Sequence, residues 1–358
     1  MQNNTSSALP FSTQVRLFIR RSPARMAVII ALILFAFTVV YMVRVVNPNI
    51  ELTQILSAVS SIIMLTLLLS FASAGQTIVL IGGGMDFTVG AVMSMAAILT
   101  TQIMDAQDGR FFPAFVAVMV MALAVGLLNG LCTVKIGLPP LIVTLAIANV
   151  VTQLQYVFTQ GSPMGYAAPA FIRTVTSRLS DLFPTLQQSA SNFARIFSDY
   201  VLSTIPTLAF YAMIIIPLVF YILNRSRFGR QLYLVGNNAI AARLTGISVN
   251  KVKIMSYVVS AMFSGFAGML GAAYMQSARC QMFDDYAYNS LIAVIVGGTA
   301  FSGGVGSYTG SISGALLMVV LSNMLSVLNL DRPTRNIVMG VIMVLLLVMY
   351  NRKKPVRQ

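Results

Sequence analysis

Between Pro113 and Val134 the chain reads PAFVAVMVMALAVGLLNGLCTV, without one charged side chain. An α-helix needs roughly 17–25 apolar residues to cross a bilayer, where its backbone polar groups must be satisfied internally. Comparable runs recur at Met26–Val43, Ile55–Ser73, Leu138–Phe158, Ile205–Leu223, Ile254–Gln276 and Asn336–Tyr350. With 57% hydrophobic and 9% charged residues, the chain has too little polar surface to cover a water-soluble globule. Two glycine-interrupted stretches fill the gaps. Phe87–Ile103 follows GGGMD, and GGTAFSGGVG breaks Tyr288–Leu328 into about two segments. The expected fold is an all-α polytopic membrane protein with about ten transmembrane segments, glycine-broken helices among them.

Charge gives an independent reading of topology. With the N-terminus in the cytoplasm, one face collects Arg16, Arg20, Arg21, Arg25, Lys135, the six bases of 225–253, and Arg352, Lys353, Lys354 and Arg357. Those are fifteen of the 23 bases, against one acid, Asp86; the other face receives eight bases and eight acids. This asymmetry follows the positive-inside rule and puts both termini in the cytoplasm. The expected organisation is a cytoplasmic segment 1–25, a single membrane domain 26–350 and a cytoplasmic tail 351–358. The domain carries an external connection, 159–204, and a cytoplasmic one, 225–253. Because the charge of +14 is spread over terminus, loop and tail, it argues against nucleic-acid binding.

Met26–Val43 is long for a signal-peptide core and has no small-x-small cleavage site after it. Before it, Phe11, Val15 and Phe18 fall at helical spacing with Arg16, Arg20 and Arg21 on other faces, which suits a surface helix or a basic tail. Cys132 and Cys280 fall on opposite sides of the membrane, which forbids a disulfide. IGGGMDFTVG and VGGTAFSGGVG echo each other; a duplicated core or chance likeness of two glycine turns accounts for this equally.

The chain has no histidine, no phosphate-binding loop, no HExxH and no paired-cysteine motif, and is expected not to be an enzyme and to bind no cofactor or metal itself. Gradient-driven carriers rely on Asp, Glu or His within the bilayer. Asp86 alone qualifies here. It precedes a helix expected to begin near Thr88, where it would accept hydrogen bonds from free N–H groups or act on substrate. The alternative reading, a self-sufficient carrier or channel driven by an ion gradient, depends on it.

The segment GNNAIAARLTG, 236–246, reads as a short helix. Asn237 or Asn238 supplies the N-cap and Gly246 the left-handed residue beyond the C-terminus. Ile240 and Leu244, four apart, form one apolar stripe beside Arg243. So short a helix is unstable alone and needs a surface to dock on, either a partner or its own membrane. Gly306, Gly310 and Gly314, and Ala261/Gly265 with Ser264/Gly268, form small-residue faces for packing within a chain or between two. Asn129, Asn149, Gln153, Gln155 and Asn323 are candidates for a polar path or for interhelical hydrogen bonds. The turn-rich start of 159–204, TQGSPMGY, and fragments such as TSRLSDLF suggest a structured cover over the outer mouth.

The loop RFGRQLYLVGNNAIAARLTGISVNKVK resembles, nearly position by position, the cytoplasmic loop of permeases from bacterial ATP-binding-cassette importers of the ribose, galactose and xylose type. GGGMDFTVGAVMSMAA, FTQGSPM and VIVGGTAFSGGVGSYTGSISGALL match the same family in order, over about Phe71 to Tyr350. The resemblance implies a chain of the bacterial inner membrane that translocates a monosaccharide or small polyol. It would act with a second permease subunit, identical or a paralogue, with cytoplasmic ATPase subunits that hold ATP and Mg, and with a periplasmic sugar-binding protein. By the same likeness, Asn238, Ile240, Ala241, Arg243, Leu244 and Gly246 look like a coupling helix seated on the ATPase. Gly83, Gly84, Asp86, Gly297, Gly298, Gly303 and Gly304 look like helix breaks for alternating access. SARCQMFDDYAYNS departs from the family's usual small residues and glycines, so the role of Asp284 and Asp285, facing the binding protein or merely solvated, stays open.

Overall fold

A computed structural model of the chain describes residues 23–46, 51–182, 197–331 and, with gaps, 333–344. Among the described residues there is no β-strand, only an isolated bridge between Arg178 and Pro206. The main helices are α1 (Pro23–Tyr41), α2 (Leu52–Ile81), α3 (Val89–Met104), α4 (Phe111–Leu131), α5 (Pro140–Thr159), α6 (Pro169–Thr176), α7 (Leu208–Asn224), α8 (Arg227–Asn237), α9 (Ala239–Leu244), α10 (Val249–Met275), α11 (Asp285–Val296) and α12 (Tyr308–Val327). Six of them, α1, α2, α4, α5, α10 and α12, are long and apolar enough to cross a bilayer, and α7 with α8 makes a seventh if that pair, bent by 59°, is one span.

The remaining expected spans take a different form. Helices α3 and α11 have 16 and 12 residues, ~24 and ~18 Å by helical rise, less than the ~30 Å of a hydrocarbon core. Glycine-rich non-helical chain prolongs each, before α3 and after α11. Irregular backbone at membrane depth is tolerated where protein covers it, and α10 runs beside the stretch before α3. The expected final span, Asn336–Tyr350, lies mostly outside the described residues, as do Phe11, Val15, Phe18 and the tail 351–358.

At the centre stands α10. A Cβ on its Gly268 would lie 2.3 Å from the Met93 carbonyl oxygen of α3, and one on Gly265 3.0 Å from the Ala122 methyl of α4. Only small residues permit that approach, and van der Waals contact is what holds helices together in lipid. On α12, a Cβ at Gly310 or Gly314 would strike the carbonyls of Gly297 or Ala293. Of the alternatives left open by the sequence, these faces serve packing within one chain.

The connection after α5 is stitched over one end of the bundle. Ala106 N–H donates to the Tyr166 carbonyl (2.9 Å), Ala167 N–H to that of Gln276 (3.1 Å), and Ala170 N–H to Asp108 Oδ1 (2.8 Å). Residues 183–196 lie outside the described residues.

Candidate functional site

The site forms at the opposite end, where Arg225, Arg227, Arg230, Arg243, Lys251 and Lys253 gather. Sequence reading expects a basic loop with one short helix, but an 11-residue helix, α8, precedes it. Its N-cap is Ser226, whose hydroxyl oxygen accepts from Gly229 N–H at 2.9 Å. Phe228, Leu232 and Val235 recur at helical spacing, and Leu232 and Val235 are buried. This periodicity was the missed signal, masked by the surrounding arginines.

Helix α9 follows without a loop. Asn238 Oδ1 accepts from the N–H groups of Ile240 and Ala241, both at 3.0 Å, which satisfies two of the free donors at the helix start. The helix ends as Ile247 N–H donates to the Ala242 carbonyl and Gly246 N–H to that of Arg243, both at 3.1 Å. Gly246 has φ +82°, the left-handed conformation that closes such a turn. Ala242 points inward and is buried, while Ile240 and Leu244 are 77% and 84% exposed. Ala241 and Arg243 are exposed beside them. The result is a capped apolar wedge in a polar, basic surround. Covering both aliphatic side chains would release about 3–6 kcal/mol before any cost of association.

Behind the wedge, three segments meet through backbone. Gly304 N–H donates to the Ile81 carbonyl at 2.8 Å. A Cβ on Gly236 would fall 1.8 Å from that same oxygen and 2.6 Å from Gly304 N; one on Gly303 would fall 2.9 Å from Gly83 Cα, and one on Gly304 2.7 Å from Asn237 Cα. The Tyr233 hydroxyl donates to the Gly306 carbonyl at 2.9 Å. Both expected helix breaks, Gly83–Gly84 and Gly303–Gly304, therefore converge on the base of α9. The C-terminal ends of α2 and α11 also share one geometry: the N–H groups of Gly83 and Gly84 donate back to the Leu80 and Val79 carbonyls as those of Gly298 and Thr299 do to Ile295 and Val294. This closure is common at helix C-termini, so it leaves the question of duplication where the sequence left it. Gly297 closes the end of α11, and Gly298 packs on Pro23 at the start of α1.

Asp86 sits deeper than its assignment to the basic face supposes. It is fully buried, and its Oδ2 accepts from the Ser260 hydroxyl at 2.8 Å, ~16 Å along α10 from Val249. Its Oδ1 accepts from Thr88 N–H (2.9 Å) and from the Thr88 hydroxyl, and Thr88 Oγ1 accepts in turn from Asn129 Nδ2 (2.9 Å). The carboxylate caps Thr88 rather than the N–H groups of α3 proper. It ties the non-helical chain before α3 to α10 and, through Thr88, to α4.

The proposed path residues do not share one place. Asn129 belongs to this buried latch. Gln155 is also an interhelical tie, with Nε2 donating to the Ala91 carbonyl (3.1 Å) and Oε1 accepting from Gln281 N–H (2.9 Å). Asn149 and Gln153 are exposed along α5. Asn323 lines a cavity near the far end of the bundle.

A bundle of long apolar helices interrupted by glycine-rich breaks defines a multi-pass membrane protein. The family described as "Branched-chain amino acid transport system / permease component" matches residues 58–347. The chain belongs to this family of transport permeases. It is 27% identical to the ribose import permease protein RbsC of Escherichia coli (strain K12), over 79% of this chain and 82% of that one. It is 28% identical to RbsC of Bacillus subtilis (strain 168), over 89% and 91%, and 28% identical to the galactose/methyl galactoside import permease protein MglC of Escherichia coli (strain K12), over 76% and 80%. No solved structure matches the chain.

Proposed function

We propose that this chain is the membrane subunit of a binding-protein-dependent ATP-binding-cassette importer that carries a monosaccharide or related small polyol into the cytoplasm. The relatives named for ribose and galactose import support the substrate class. The observation that carries the mechanism is the wedge: Ile240 and Leu244 project from a helix capped at both ends, on a surface where nothing among the described residues covers them. They are anchors for an apolar groove on a cytoplasmic ATPase, with Arg243 beside them for an acidic partner. In this reading the chain crosses the membrane ten times with both termini inside, pairs with an identical or paralogous permease, and receives sugar from a periplasmic binding protein at the end opposite the wedge.

Closure of the ATPases shifts α9, and the backbone junction passes the shift to the breaks after α2 and α11, so the helices rock as rigid bodies. Asp86 holds one moving segment to α10 and relays no proton. The test is reconstitution. Liposomes with the chain, its ATPase and its binding protein take up sugar when ATP is supplied, and liposomes with the chain alone do not. Accumulation by the chain alone would favour the gradient-driven carrier instead.

A further inference from the structure

Near the end of the bundle opposite the wedge, a cavity of about 670 Å³ opens between α2, α11, α12 and the helical residues around Arg335. That volume is typical of a small-molecule site, roughly 300–1,000 Å³. Its chemistry is layered. Arg279, Asp285 and Arg335 stand at the rim, with the Arg335 guanidinium donating to the Ser326 hydroxyl. Asn289 lies four residues into α11 from Asp285, and Asn323 lies four residues before the end of α12 at Val327, so both amides sit ~6 Å below the rim. Below them the floor is apolar: Leu65, Leu69, Ile292 and Met318.

The two half-buried amides suit one class of ligand. Among the described residues neither side-chain amide has a hydrogen-bond partner. Each offers both a donor and an acceptor, which is also what a hydroxyl group offers. An ionic ligand at that depth would need an opposing charge there, and the charges are confined to the rim. A lipid tail would leave both amides unpaired, at a cost of roughly 1–3 kcal/mol each. Tyr288, the neighbour of Asn289, also lines the cavity, its ring held at 5.7 Å from that of Phe87.

We infer that this cavity is a sugar-binding site within the permease itself, in which Asn289 and Asn323 hydrogen-bond the hydroxyls of the incoming solute. The inference rests on the importer reading and deepens it: the membrane subunit contributes its own selectivity after the binding protein has released its cargo. It gives Asp285 a place at the entrance, one turn above Asn289.

The experiment uses the assembled complex in liposomes, with D-ribose, D-galactose and their deoxy analogues as solutes. Asn289→Ala and Asn323→Ala each lower uptake kcat/KM for the carried sugar by about five- to tenfold, the worth of one hydrogen bond. Uptake of the analogue lacking the partnered hydroxyl falls much less, so discrimination between the two collapses. Equal losses for sugar and every analogue, or no loss, overturn the inference and leave the importer reading standing. Variants that change only subunit assembly overturn it too, since that is the sign of a cavity filled by a second copy or by lipid. Asn323→Ser, smaller but still able to hydrogen-bond, covers the case in which an alanine variant does not fold; it must shift the same ratio. A wild-type complex that carries no sugar at all sinks both readings.

Discussion

Replacing Gly236 with alanine tests the junction behind the wedge. In an ordinary exposed helix this change is favourable by about 1 kcal/mol, since alanine is the better helix former. Here the added Cβ would lie 1.8 Å from the Ile81 carbonyl oxygen, about 1.6 Å short of ordinary contact at 3.4 Å, and 2.6 Å from Gly304 N. Both obstacles are backbone, so no side-chain rotation relieves the clash. Forcing the segments apart costs about 1–3 kcal/mol as overpacking. Breaking the 2.8 Å bond from Gly304 to Ile81 strands a donor and an acceptor for about another 1–3 kcal/mol. Net of the helix gain, Gly236→Ala destabilises by about 1–5 kcal/mol. Because the loss falls on the junction, ATP-driven uptake should fall more than ATPase binding does. The chain has no tryptophan, so unfolding is followed by circular dichroism, with uptake measured in reconstituted liposomes. Gly246→Ala is the control: it strains a residue at φ +82° but meets nothing within 4 Å, so it weakens α9 and spares the junction. A Gly236→Ala protein that melts and transports like wild type would refute the close approach and the coupling built on it.

The double change Ile240→Asp with Leu244→Asp abolishes co-purification with the ATPase while the circular-dichroism melt stays at wild type; unchanged association rejects the coupling role. Asn238→Ala removes an N-cap worth about 1 kcal/mol and weakens ATPase affinity by up to about fivefold in a binding titration. Asp86→Asn disrupts a carboxylate that accepts three hydrogen bonds and lowers stability by about 1–3 kcal/mol, with the ratio of sugar moved to ATP consumed unchanged; a changed ratio would return Asp86 to a role in transport chemistry. Gly314→Ala places a Cβ 1.9 Å from the Ala293 carbonyl and destabilises the single chain without altering the dissociation constant of the proposed permease pair.

Hydropathy made the long helices legible because each span is an uninterrupted apolar run, and local chemistry made α9 legible because Asn238 and Gly246 act on neighbours within a few residues. Helix α8 escaped because its apolar residues, Phe228, Leu232 and Val235, are interleaved with arginines that read as a solvated loop. The junction escaped for another reason: Ile81, Gly236 and Gly304 are far apart in sequence, and each glycine alone looks like a turn. The glycine turn before Asp86 reads as part of the basic face, yet the carboxyl is fully buried and bonded to Ser260, midway along α10. The broken spans were legible as breaks, but not the shortness of α3 and α11, since glycine-rich coil and helix have similar hydropathy.

A contact made of peptide groups alone has no rotamers with which to yield. Side chains interposed there would act as springs and soak up an ångström of travel, whereas Ile81, Gly236 and Gly304 behave as a solid bearing. Under the proposed coupling, a stroke delivered to the wedge would reach the ends of two distant helices together, with little lost between them.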